Sequence, residues 1–145
     1  MYKKYKHTQT GNLMLIVLCI VLAFIVFFMS FFGFNTIGFI VVLIVILALW
    51  MFTKLTVEID SEFLRIKFGA GIIRKKFPIN EIKSCREVKN HWYYGWGIRI
   101  TPHGILYNVS GLFAVELEMK KGRKYRIGTD EPEKLVQAIQ EAIGT

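Results

Sequence analysis

The chain has 145 residues, a formal net charge of +8 and an apolar share of 53%, only modestly above the ~45–50% of soluble proteins. That mean conceals a division. Asn12 to Thr53 is a run of 42 residues without one Lys, Arg, Asp, Glu or His, which excludes a simple soluble protein, because an apolar stretch beyond ~18 residues reads as membrane-spanning.

The first eleven residues form a basic N-terminus with Lys3, Lys4 and Lys6. A single helix over the apolar run would be about 63 Å long, about twice the hydrocarbon core of a bilayer. The run must therefore fold back. Gly33-Phe34-Asn35-Thr36 is where Gly, Asn and Thr cluster, so a helical hairpin is expected, with spans at 13–32 and 37–52 and a turn at 33–36. Lys54, Arg65 and Lys67 follow the second span and the turn carries no charge. The excess of positive charge on cytoplasmic segments places both termini in the cytoplasm and the protein in the inner membrane. Tyr2, Tyr5 and Trp50 fall where an interfacial aromatic belt would lie. A signal peptide is the competing reading, but its apolar region is ~7–15 residues and ends in a small-x-small cleavage pattern, which is missing here. Neither span holds an ionisable residue. Ion and proton pathways normally need them, so the hairpin reads as an anchor.

After Lys54 the pattern becomes alternating. Leu55, Val57 and Ile59, then Leu64, Ile66 and Phe68, alternate with polar residues, the period of a strand with one buried face. Further strands are expected at Ile72–Phe77, Lys83–Val88, Gly97–Thr101 and Gly104–Val109. A hairpin follows, in which parity selects a three-residue loop, Lys120-Lys121-Gly122. That loop sets Leu117 opposite Tyr125, Glu116 opposite Arg126 and Glu118 opposite Lys124, with Gly122 where a positive φ is needed. The outer charge pairs are expected to be solvated and to contribute little. Leu135, Ala138, Ile139, Ala142 and Ile143 recur on one helical stripe. Asp130 can cap that helix, with Pro132 in its first turn. The expectation is a cytoplasmic domain over 55–145: about seven or eight short antiparallel strands in a curved sheet or barrel, plus one C-terminal helix.

This order, with Phe68-Gly69-Ala70-Gly71, Tyr94-Gly95-Trp96-Gly97-Ile98-Arg99, Leu106-Tyr107-Asn108-Val109-Ser110-Gly111 and Arg126-Ile127-Gly128-Thr129-Asp130-Glu131-Pro132, resembles the membrane-anchored bacterial pleckstrin-homology-like (PH-like) domain proteins. The resemblance implies a small α+β PH-like domain behind a two-helix anchor. It also implies a binding scaffold for lipids, peptides or proteins, since a fold alone does not set an activity.

Catalytic patterns are weak. Cys85 and His91 could form a nucleophile–base pair, but Cys85 reads first as a small hydrophobe in a strand. Ser110 lacks a nucleophile elbow, and Gly69-Ala70-Gly71 lacks the third glycine of a dinucleotide fingerprint. No two histidines have metal-ligand spacing, and Cys19 and Cys85 form no CxxC. The reading is a non-enzyme with no cofactor and no metal. Between Arg65 and Arg99, nine cations stand against two acids. This reads either as a solvated basic face that also fixes the topology or as a surface for anionic phospholipid, where each Lys or Arg contributes ~1 kcal/mol. The lipid-binding candidates are Arg65, Lys67, Arg74, Lys75 and Lys76. Lys67, Arg74 and Lys76 flank one turn and resemble the basic first hairpin of phosphoinositide-binding PH domains. Trp92, Tyr93, Tyr94 and Trp96 either fill an open barrel end or meet another membrane or cytoplasmic protein. Nucleic acid is not an expected partner, because the patch is small and tethered. The competing functional class is a structural element of a larger membrane complex.

Overall fold

The computed structural model describes residues 5–144; Tyr2, Lys3 and Lys4 lie outside the described residues. Strand β1 (Tyr5–Thr10) leads through Gly11 into helix α1 (Asn12–Phe32), and a short turn precedes α2 (Thr36–Phe52). Asn35 caps α2, its side-chain oxygen accepting from the Gly38 amide at 2.8 Å. The capping residue moves the second helix one position earlier than its apolar pattern suggests. The two helices pack on each other. A Cβ on Gly38 would come within 2.8 Å of the Met29 sulfur, so the glycine admits Met29, the one buried residue of α1. Helix α1 is long and apolar enough to cross a membrane, and only 6% of its most apolar window is buried. It is therefore no core helix; an anchor or a signal sequence fits. Helix α2 is apolar and 17 residues long.

The β-rich region forms two sheets. The first contains β1, β2 (Lys54–Ile59), β3 (Phe63–Phe68) and β4 (Ile73–Pro78) in that order, all antiparallel. The second contains β5 (Ile82–Lys89), β6 (Gly97–Thr101), β7 (Gly104–Asn108), β8 (Phe113–Met119) and β9 (Lys124–Gly128), in the order β5-β8-β9-β7-β6, with β7 and β9 parallel. They form two sheets rather than a closed barrel among the described residues. Helix α3 (Pro132–Gly144) packs against β5, β8 and β2. The core joins Leu55, Val57, Ile59, Leu64, Ile66 and Phe68 to Leu117, Ile127, Leu135 and Ile139, the alternating and helical stripes of the sequence. The last hairpin has the expected register: Leu117 faces Tyr125, Glu116 faces Arg126 and Glu118 faces Lys124, with Gly122 at φ +90°.

Strand β1 is the element without a sequence counterpart in the expectations. Its inward positions are Tyr5, His7 and Gln9, polar residues with no apolar alternation. They find polar partners instead. Tyr5 donates its hydroxyl to Glu131 Oε1 at 2.6 Å, His7 Nε2 lies 2.6 Å from Asp130 Oδ1, and Gln9 donates to the Ser110 carbonyl at 3.2 Å. Asp130 therefore meets β1, and the Glu131 amide donates to the Thr129 hydroxyl at 3.1 Å. Residues 5–11 thus belong to the same folded unit as 55–144, on both sides of the helical pair.

Leu135 is fully buried where α3 meets both sheets. Leu135→Ala should cost about 2–5 kcal/mol through lost burial and the cavity left behind. Denaturant unfolding of the full chain in detergent, followed by near-ultraviolet circular dichroism, measures this.

Candidate functional site: a basic hairpin at the base of the apolar helices

The Gly69–Gly71 turn between β3 and β4 sits on the end of α2. The Gly69 amide donates to the Lys54 carbonyl at 2.8 Å. A Cβ on Gly69 would stand 2.6 Å from the Met51 carbonyl oxygen, and its φ is +54°. No other residue type meets both demands without a shift. Lys67 is in register with Thr56 and with Arg74. Three residues at ~3.3 Å put this cation pair about 10 Å from the helix end. Arg65 and Lys76 pair one step further along the same face.

Arg65, Lys67, Arg74 and Lys76 share a shallow depression of about 570 Å³ with Glu58. Lys75 lines its edge, but strand parity turns its side chain to the opposite face. There its ammonium lies 5.7 Å from the Tyr125 ring centre and 5.9 Å from that of Phe77. The five candidates therefore divide four to one. The four are unequally free. Arg65 pairs with Asp60, and Lys67 reaches Glu58 at 3.3 Å, which Lys6 also meets at 3.1 Å. The Lys6 ammonium, with Lys67, holds the Glu58 carboxyl below the usual range despite burial. Burial pushes the Asp60 carboxyl up, but the Phe63 and Glu62 amides and the Arg65 guanidinium bring it down overall. Arg74 donates to the Gly71 carbonyl, and the Lys76 ammonium lies 4.9 Å from the Phe63 ring centre. Counting Lys6, five cations less two carboxylates leave the face at +3.

The aromatic loop has a topological cause. Strands β5 and β6 are consecutive in the chain but lie at opposite edges of the second sheet. The link from Lys89 to Gly97 must cross four strand spacings, about 19 Å, and eight extended residues reach about 28 Å. It crosses the outer face at the end nearest the helices. The Asn90 amide donates to the Leu112 carbonyl, Trp96 Nε1 donates to the Gly111 carbonyl at 3.2 Å, and a Cβ on Gly97 would lie 4.0 Å from Met14 and Phe52 atoms. Tyr94 and Trp96 are half-buried. Trp92 and Tyr93 are 75% and 62% exposed, so those two rings do not fill a barrel end.

Beneath this crossing lies a charge network that differs from the expected solvated pairs. Glu116 and Arg126 are 4% and 5% exposed. Arg126 Nε donates to Glu116 Oε2 at 3.0 Å, Arg86 Nη2 to Glu116 Oε1 at 2.9 Å, and Arg126 Nη1 to Asn90 Oδ1 at 3.0 Å. Loss of water raises the Glu116 carboxyl, but hydrogen bonds and charge from Arg126 and Arg86 outweigh it and hold the group below its ordinary value. Strand alternation marks these residues as outward; it carries no sign that a crossing loop will cover them.

Cys85 and His91 do not assemble a catalytic pair. The Cys85 thiol meets the Val136 carbonyl at 3.8 Å, burial pushes its pKa up, and His91 stacks on Tyr93. Among the described residues no three His, Cys, Asp or Glu side chains gather as a metal site. The chain matches no family model, no curated protein and no solved structure.

Because Glu116 has a lowered folded-state pKa, its stabilisation is full above the unfolded value of 4.5 and is lost as pH falls through the lower folded value. Glu116→Gln leaves Arg126 buried without its counter-charge and should cost about 3–5 kcal/mol at neutral pH. Unfolding measured between pH 3 and 7 should also show a shallower acid limb than in the parent.

Proposed function

We propose that the chain is a non-enzymatic integral membrane protein of the cytoplasmic membrane. Helices α1 and α2 form a two-span anchor, and the two-sheet module, PH-like in kind, presents its β3–β4 hairpin to anionic lipid head groups. The observation that carries this reading is the seating of the Gly69–Gly71 turn on the end of α2, which brings Lys67 and Arg74 to the base of the apolar pair.

Three further points support it. Strand β1 precedes α1 and pairs with β2, which follows α2; cleavage after a signal sequence would strip that strand from the sheet. The flanking segments therefore belong on one side of the pair, as two crossings require. Helix α2 spans about 26 Å, close to the ~30 Å hydrocarbon core, and exposes Ile37, Phe39, Leu43 and Leu47, surface that water would penalise. Trp50 is exposed near the C-terminal end of α2, where an amphipathic ring suits head-group level. The PH-like kind rests on the sequence resemblance; the parallel β7–β9 pair and the extra strand β1 depart from a simple seven-stranded antiparallel order.

The protein should stay with membranes through high salt and alkaline carbonate; release to the supernatant would contradict the anchor. In detergent, native mass spectrometry should show phosphatidylglycerol retained over phosphatidylcholine. Lys67→Ala with Arg74→Ala should reduce that retention about fivefold or more, at ~1 kcal/mol per cation. Equal retention of both lipids would contradict the head-group role. The full chain is the right material, because a fragment from residue 55 lacks β1.

A further inference from the structure

The second basic site lies at the other end of β4. A cleft of about 500 Å³ opens between the end of β4 and the β8–β9 hairpin. Phe77 and Tyr125, 4.8 Å apart at their ring centres, line it. Lys75 stands over both rings, and Lys121 and Arg123 approach from the hairpin loop. Glu81 is the one carboxylate lining it among the described residues. Lys75, Lys121 and Arg123 have no carboxylate within ion-pair distance among the described residues, whereas Arg65 and Lys67 of the helix-proximal face are paired. Three cations of this cleft are thus free of ion pairs among the described residues.

One wall is strand β4 itself, whose second edge pairs with no described strand. A free edge offers alternating N–H and C=O groups that an extended chain can match. Consecutive Arg74, Lys75 and Lys76 repel a second copy of the same strand, a common protection of edges, and attract an acidic one.

We propose that this cleft binds an extended acidic segment of a partner protein, added along β4 with its carboxylates toward Lys75, Lys121 and Arg123. A bilayer around the protein's own helices is a poorer occupant. From Ile73, next to the helix-seated turn, β4 runs about 17 Å to Pro78, beyond the ~8 Å Debye length at physiological salt. That step rests on the membrane reading above; the cleft and its charges do not.

The test uses the full chain in phosphatidylcholine nanodiscs and a fluorescein-labelled, end-blocked peptide of alternating glutamate and valine, followed by anisotropy at ~100 mM salt, where exposed charge pairs still act. The peptide should bind. Lys121→Glu with Arg123→Glu, both on an exposed loop, should weaken binding at least about tenfold, and Lys67→Ala should change it less than about twofold. Circular dichroism of each variant reports that the fold is kept. Equal binding by the double variant, equal binding of a lysine–valine peptide, or no binding overturns the proposal. Capture of added phosphatidylglycerol vesicles that is lost in the double variant, without peptide binding, also overturns it and assigns the cleft to an apposed membrane. Failure of the chain to enter nanodiscs contradicts the anchor instead and is read separately.

Discussion

The ladder between β1 and β2 holds the base of the helical pair. Six residue pairs join the two strands, from Tyr5–Ile59 to Thr10–Lys54, and the Gly11 amide extends the ladder to the Thr53 carbonyl at 2.7 Å. Only Gly11 separates β1 from α1, and only Thr53 separates α2 from β2. The helices are thus inserted within a strand pair. Each connecting residue is bonded across the gap, so the orientation of the sheet follows from that of the helices.

That constraint organises the surface chemistry. Because β3 pairs with β2 and its turn rests on α2, the Lys67–Arg74 pair cannot drift from the helix base. The crossing loop is tied down at the same end by Asn90 and Trp96, and Asn90 accepts from Arg126 of the Glu116–Arg126 pair. Burying that pair costs desolvation, which added hydrogen bonds from Arg86 to Glu116 and from Arg126 to Asn90 help to offset. The hairpin carrying Lys121 and Arg123 lies at the opposite end of the sheets. One fold therefore has two basic regions separated along the strands: one near the apolar helices, where Arg65 and Lys67 are ion-paired, and one away from them, where, among the described residues, Lys75, Lys121 and Arg123 are not.

The residues reveal these features unequally. The uncharged run, the alternation in β2 and β3, the parity of the β8–β9 hairpin and the α3 stripe are period-and-breaker patterns, and local physics fixes them. Strand β1 escaped because its inward face is polar and depends on Glu131, Asp130 and Ser110, more than 100 positions away in the chain. The burial of Glu116 escaped because alternation specifies a face and not what crosses it. Of the basic candidates, composition grouped Lys75 with Arg74 and Lys76, whereas pleating sends it to the other side. Lys121 reads as a turn residue, and Arg123 carries no signal of its own, until the β4 edge is brought beside them.

The pairing of β1 with β2 across the apolar helices is the central claim, and a disulfide tests it directly. Thr8 and Thr56 are register partners whose hydroxyl oxygens lie 3.0 Å apart. Opposed antiparallel residues have Cα separations of about 4.5–5.5 Å, within disulfide reach. With Cys19 and Cys85 replaced by Ala, Thr8→Cys and Thr56→Cys should cross-link readily in intact membranes under mild oxidation, and both thiols should label from the same side with an impermeant maleimide. Absence of the cross-link, with the two thiols labelled from opposite sides, would contradict the account.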